Sequence, residues 1–187
     1  WWKRTTGTES APTITHTSGN SSIAKICAFR GVVESGDPFD VVGSVQSNAG
    51  TPINTTAIIT STDEAVILHL FGSQDNNNWG SFTGTPTTLA GAVETNSTGT
   101  DNSQVVTYGT QTSAGSTGTA GASQTTTGGG GNDAGASVLM ALKRNAPPTI
   151  SISQPDGISD TIAQDGSYNV TYTLSDTDSV VTAAFYY

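Results

Sequence analysis

The sequence predicts an all-β protein: a β-sandwich or jelly roll over residues 1–143, then a smaller β unit over 149–187. Three observations predict it. Apolar and polar residues alternate with a period close to two along nearly the whole chain, the mark of half-buried strands. No capped helical pattern interrupts that alternation. Short apolar runs are separated at regular intervals by clusters of Gly, Asn, Asp and Ser, which is how sandwiches and jelly rolls read.

Taken in order, strands are predicted at 1–6, 13–17, 23–33, 39–45, 57–60 and 65–71, then at 105–112, 116–126 and 136–143. The turns between them are Ser18-Gly19-Asn20, Ser35-Gly36-Asp37-Pro38, Ser47-Asn48-Ala49-Gly50 and residues 73–80. Three runs are apolar on both faces and read as central strands. They are residues 23–29, residues 65–71 and Val138-Leu139-Met140-Ala141-Leu142. The single cysteine, Cys27, lies in the first of these and is expected to be a small buried hydrophobe. Between residues 83 and 133 the chain is almost all Thr, Gly, Ser, Asn and Ala, which reads as edge strands and long loops, with Val105, Val106 and Tyr108 offering core groups.

Residues 144–148, Arg144-Asn145-Ala146-Pro147-Pro148, form a stiff linker, because paired prolines block helix and restrict the backbone. Beyond it, Ile150 and Ile152 alternate with polar neighbours. Tyr168, Val170, Tyr172 and Leu174 then share one strand face, with Ser167, Asn169, Thr171 and Thr173 on the other. A further strand is predicted over 180–187. A unit of about 40 residues without a disulfide does not bury enough surface to fold alone. The second unit is therefore expected to finish its core elsewhere, either with residues outside this sequence or on a neighbouring subunit. Trp1, Trp2, Phe185, Tyr186 and Tyr187 lie in strand patterns at the two ends of the sequence and are expected at the same contacts.

The charge balance excludes some partners. Net charge is −9, and the six Lys and Arg residues include only two isolated pairs, Lys3-Arg4 and Lys143-Arg144. Nothing here neutralises a row of phosphates, so nucleic acid is not an expected partner. No apolar run reaches the length of a membrane-spanning helix, so membrane insertion is not expected either.

Two stretches carry a family resemblance. In the first unit it rests on Trp1-Trp2-Lys3-Arg4, Ala11-Pro12-Thr13-Ile14-Thr15-His16-Thr17, Ala28-Phe29-Arg30-Gly31-Val32, Asp37-Pro38-Phe39-Asp40-Val41, Ile67-Leu68-His69 and Ala141-Leu142-Lys143. With these, residues 1–143 resemble a jelly-roll-like β-sandwich domain of environmental bacterial and phage surface proteins. In the second unit it rests on Pro147-Pro148-Thr149-Ile150, Gln154-Pro155-Asp156-Gly157 and Thr173-Leu174-Ser175-Asp176-Thr177-Asp178-Ser179. There the chain resembles the start of a bacterial immunoglobulin-like repeat. The combination is similar to subunits of glycan-coated extracellular filaments and of phage appendages. The resemblance implies a partial immunoglobulin-like unit, an extracellular or virion setting and no catalytic residues.

Chemical motifs are sparse. His16 and His69 are the only histidines, and no Gly-x-Ser-x-Gly elbow accompanies them, so no catalytic residue is assigned. His69, in an apolar run, reads as a core or sheet-edge histidine. Gly128-Gly129-Gly130-Gly131 lacks the Lys-Ser/Thr ending of a phosphate loop. No cofactor is expected. Asp176 and Asp178 are weak calcium candidates, and otherwise read as turn residues. Asn20, Asn54, Asn96 and Asn169 each begin an Asn-x-Ser/Thr triplet in or near an exposed position and are the glycosylation candidates. Trp79 and Phe82, beside the polar turn at 75–78, are the carbohydrate-contact candidates.

Two functional classes follow. The first is a structural subunit of a self-assembling extracellular filament or virion appendage, polymerising head to tail by strand sharing with copies of itself. Its interface residues would be Tyr168, Val170, Tyr172 and Leu174. The alternative is a carbohydrate-binding or adhesive module that recognises surface glycans within a larger surface protein.

Overall fold

Ile67, Phe71, Val105, Leu139 and Ala141 from one sheet meet Ile53, Trp79 and Ala122 from another, and this apolar layer organises the molecule. A computed structural model describes residues 2–11, 13, 15, 23–84, 90–96, 102–125, 132–154 and 171–175. Among them there is no helix, and the fold is all-β and sandwich-like. The strands are β1 (Phe39–Val42), β2 (Gln46–Asn48), β3 (Ile53–Asn54), β4 (Ile59–Thr60), β5 (Ala65–Gln74), β6 (Asn78–Thr83) and β7 (Ala90–Asn96). They continue with β8 (Asn102–Gln111), β9 (Gly115–Ser116), β10 (Gly121–Thr125), β11 (Gly135–Leu142), β12 (Thr149–Gln154) and β13 (Thr171–Ser175).

All pairings are antiparallel. The large sheet runs β1-β11-β5-β8-β7, with β2 also paired to β11, and the smaller one runs β3-β10-β6. The short pair β4-β9 and the ribbon β12-β13 are separate two-stranded sheets. Strand β5 is central because it is apolar on both faces. Its inward residues Ile67, His69 and Phe71 lie opposite Ala141, Leu139 and Ser137 of β11, and opposite Gly109, Thr107 and Val105 of β8.

Polar groups close both ends of the sandwich. At one end Asn77 Nδ2 donates to the Gln74 carbonyl at 2.8 Å and to Asp133 Oδ2 at 2.9 Å. Trp79 Nε1 donates to Ser103 Oγ at 3.2 Å, and Ser103 and Ser73 hydroxyls meet at 3.1 Å. At the other end Asp40 accepts from the Ser61 N–H at 2.7 Å and from the Ser61 hydroxyl, fixing the turn into β5. The bonds of Asn77, Trp79, Ser73 and Ser103 answer donors and acceptors that burial would otherwise leave unsatisfied.

One glycine marks a close approach. A Cβ at Gly135 would lie 2.5 Å from the Gly72 carbonyl oxygen and 3.0 Å from Ile53 Cδ1. Gly135→Ala is expected to cost about 1–3 kcal/mol through forced backbone shifts, read as a lower urea midpoint.

Several sequence expectations are corrected. Residues 23–33 do not form a central strand. Only Val32 makes a bridge, to Arg144, and Ile26 is 65% exposed. The places beside β5 are taken by β11 and β8 over nearly its full length, so the segment has no seat in the sheet. Cys27 is correspondingly exposed rather than buried. Residues 2–6, 13 and 15 are not strand. The turn expected over 73–80 is narrower, because β5 runs through Gln74 and β6 begins at Asn78. The polar stretch after residue 83 holds β8, a strand lying inside the large sheet between β5 and β7.

Candidate functional site

The ribbon beyond the linker is the best candidate. In it Ile150 lies opposite Leu174 and Ile152 opposite Tyr172, while Thr149 lies opposite Ser175 and Ser151 opposite Thr173. Facing residues in an antiparallel pair share a side of the ribbon. One side is therefore apolar and the other hydroxylated, as the alternation in sequence predicts. Ile150 is 63% exposed, and among the described residues no strand of the sandwich packs extensively on the ribbon. A two-stranded ribbon without a packed layer is marginal in water.

The linker leaves the sandwich through a pinned start. Lys143 donates its N–H to the Pro38 carbonyl at 2.8 Å, and Asn145 to the Gly31 carbonyl at 2.8 Å. Arg144 forms an ion pair with Glu64. An open cleft of about 810 Å³ lies here, bordered by Asp37, Asp63, Glu64, Lys143, Arg144 and Pro147. Among the described residues no three His, Cys, Asp or Glu side chains gather to hold a metal ion.

The N-terminal segment is tied to the same end. The Arg4 guanidinium donates to the carbonyls of Val33 and Gly36, the latter at 2.7 Å, and lies 5.5 Å from the Trp2 ring. Trp2 in turn stands edge-on to Phe39 at 6.5 Å and stays 45% exposed. Glu9 accepts hydrogen bonds from the backbone N–H groups of Thr6 and Gly7. The Thr6 N–H is the main cause that lowers its carboxyl from an ordinary 4.5 to about 2.

The expected site residues fall in different places. Tyr172 and Leu174 are half-buried on the ribbon. Asn54 is exposed on β3, and Asn96 ends β7. Trp79 is not an exposed platform. It is 7% exposed, packed 6.2 Å from the Phe71 ring, with its N–H spent on Ser103. Phe82 packs partly buried against the same core. The polar turn before Trp79 gave no sign of this, because β6 starts immediately after it and turns the indole inward. His69 is wholly buried between Leu139 and Thr107. Trp1, His16, Asn20, Tyr168, Asn169, Val170, Asp176, Asp178, Phe185, Tyr186 and Tyr187 lie outside the described residues.

One feature escaped the sequence reading. The outward side of the large sheet is also apolar: Val42, Met140, Leu68 and Tyr108 stand in one cross-strand row, and Val138, Leu70 and Val106 in the next. The signal was present in residues 65–71, which are apolar at odd and even positions alike. Compared with models of known protein families, with curated proteins and with solved structures, the chain matches none.

Proposed function

We propose that this chain is a structural subunit of an extracellular filament or virion appendage, built as a homopolymer in which the second unit of each copy docks head to tail on the next. The observation that carries this reading is the ribbon, in which Ile150 is 63% exposed and on which, among the described residues, no strand of the sandwich packs extensively. A contact made by one surface on a different surface of an identical copy does not close on itself, and it propagates. The role is structural, with no catalytic step, and the burial of His69 supports that. Exposed Asn54, in the triplet Asn54-Thr55-Thr56, is the candidate for attached sugar on the filament surface.

Negative-stain imaging of the full chain tests the proposal. Regular filaments are the expected result, and a uniform field of single particles at high concentration would sink it. In material taken from its source, the peptide carrying Asn54 should be heavier than its bare sequence mass; equality removes the glycan.

A further inference from the structure

We infer that residues 23–29 form a detachable strap, held over the outward apolar side of the six-stranded sheet by two side-chain anchors and released while the sandwich stays folded. The inference concerns the single chain and does not rest on assembly. An antiparallel sandwich normally turns polar residues outward. Here three successive outward rows pair Leu68 with Tyr108, Leu70 with Val106, and Gly72 with Gln104. The anchors stand at the first and third of these rows. Phe29 is edge-on to Tyr108 at 5.7 Å, and Ile23 borders a shallow hollow of about 530 Å³ with Gly72 and Gln104. The residues between the anchors therefore cross the middle row. Leu68 and Val106 point outward yet are only 7% and 8% exposed, as a cover over those rows requires.

The cover is held loosely. From the first row to the third is about 13 Å along a strand, whereas the chain from Ile23 to Phe29 reaches about 20 Å when extended. The slack lifts the middle. Ala24, Lys25, Ile26, Cys27 and Ala28 are all exposed, and only the two anchors are half-buried. Among the described residues the strap pairs with no strand. Ladder contact begins just beyond it, where Val32 bridges Arg144 and the Asn145 N–H donates to the Gly31 carbonyl at 2.8 Å. Gly31, at φ +72°, makes the bend between the strap and this pinned chain. A segment with few buried contacts and no ladder opens at a small fraction of the free energy that unfolds a core. Closed, the strap keeps the apolar rows from water; open, it presents them. The sheet's own pairing does not change, because β5 keeps β11 and β8 on either side.

The test digests the full chain with trypsin under native conditions and follows the fragments by mass. Lys25 and Arg30 are the only Lys or Arg residues between Arg4 and Lys143, so every tryptic cut in that span reports on the strap. Where closing is fast, the rate of cutting tracks the population of the open state. Ile23→Ala with Phe29→Ala is expected to speed cutting after Lys25 by at least about tenfold. The same variant should raise the fluorescence of the apolar dye anilinonaphthalene sulfonate and keep the parent's melting temperature. A cutting rate equal to the parent's overturns the inference, since the two side chains then anchor nothing. Unchanged dye fluorescence overturns it as well, because no covered surface has opened. A lower melting temperature also overturns it, because the strap then belongs to the cooperative core.

Discussion

Trp79→Ala is expected to lower the stability of the sandwich by about 3–5 kcal/mol, the usual cost of emptying a buried aromatic site. The ring touches both layers through Phe71, and its N–H is held by Ser103 at 3.2 Å. Removing it leaves a cavity between the sheets and frees a buried hydroxyl. Against a total of about 5–15 kcal/mol for a typical domain, that loss shifts the urea midpoint far enough to be unmistakable. Trp79→Phe keeps most of the ring and gives up the hydrogen bond, so about 1 kcal/mol is expected. An unchanged midpoint for Trp79→Ala would mean that the ring does not belong to the core.

The second large effect falls on assembly. Tyr172→Asp with Leu174→Asp should abolish polymerisation while the sandwich melts as in the parent. The two side chains sit on the apolar side of the ribbon, opposite Ile152 and Ile150. Burying each is worth about 1.5–3 kcal/mol, so losing both weakens the contact by about two to four orders of magnitude at 1.4 kcal/mol per tenfold. Buried carboxylates would weaken it further. Sedimentation of the variant and parent at equal concentration reads the difference. A variant that still pellets with the parent excludes the ribbon from the contact.

The all-β class was legible, because period-two alternation marks strands whatever they pair with. Strands β5, β8 and β11 were found where apolar runs stood clear of turn residues. Residues 23–29 misled for a physical reason. Apolar content signals burial of surface, and it serves equally for a strand within a sheet and for a segment laid across one. Strand β6 was hidden because Asn76-Asn77-Asn78 reads as a turn, although Asn78 already begins pairing with Thr125. The candidate interface was half legible. The ribbon's alternation is plain in Thr171–Ser175, whereas the apolar outward side of the large sheet emerges only when Val42, Met140, Leu68 and Tyr108 are brought into one row. Those residues are scattered over the chain, and register alone unites them.

The hydroxyl pair between the sheets also governs how the chain finds its pairing. Sliding β8 along β5 by one residue would turn Ile67 and Phe71 against the wrong face of their partner, and hydrophobicity alone forbids it. Sliding by two keeps every apolar side chain facing inward, so hydrophobicity is nearly blind to that error. The small polar groups are not. A two-residue slip parts Ser73 from Ser103, now 3.1 Å apart, and takes Ser103 away from the Trp79 N–H. Buried donors and acceptors would then lack partners at about 1–3 kcal/mol each. Hydroxyls inside a sandwich this rich in Ser and Thr thus act as alignment pins, and they choose one strand register among alternatives that an all-aliphatic interior would accept equally.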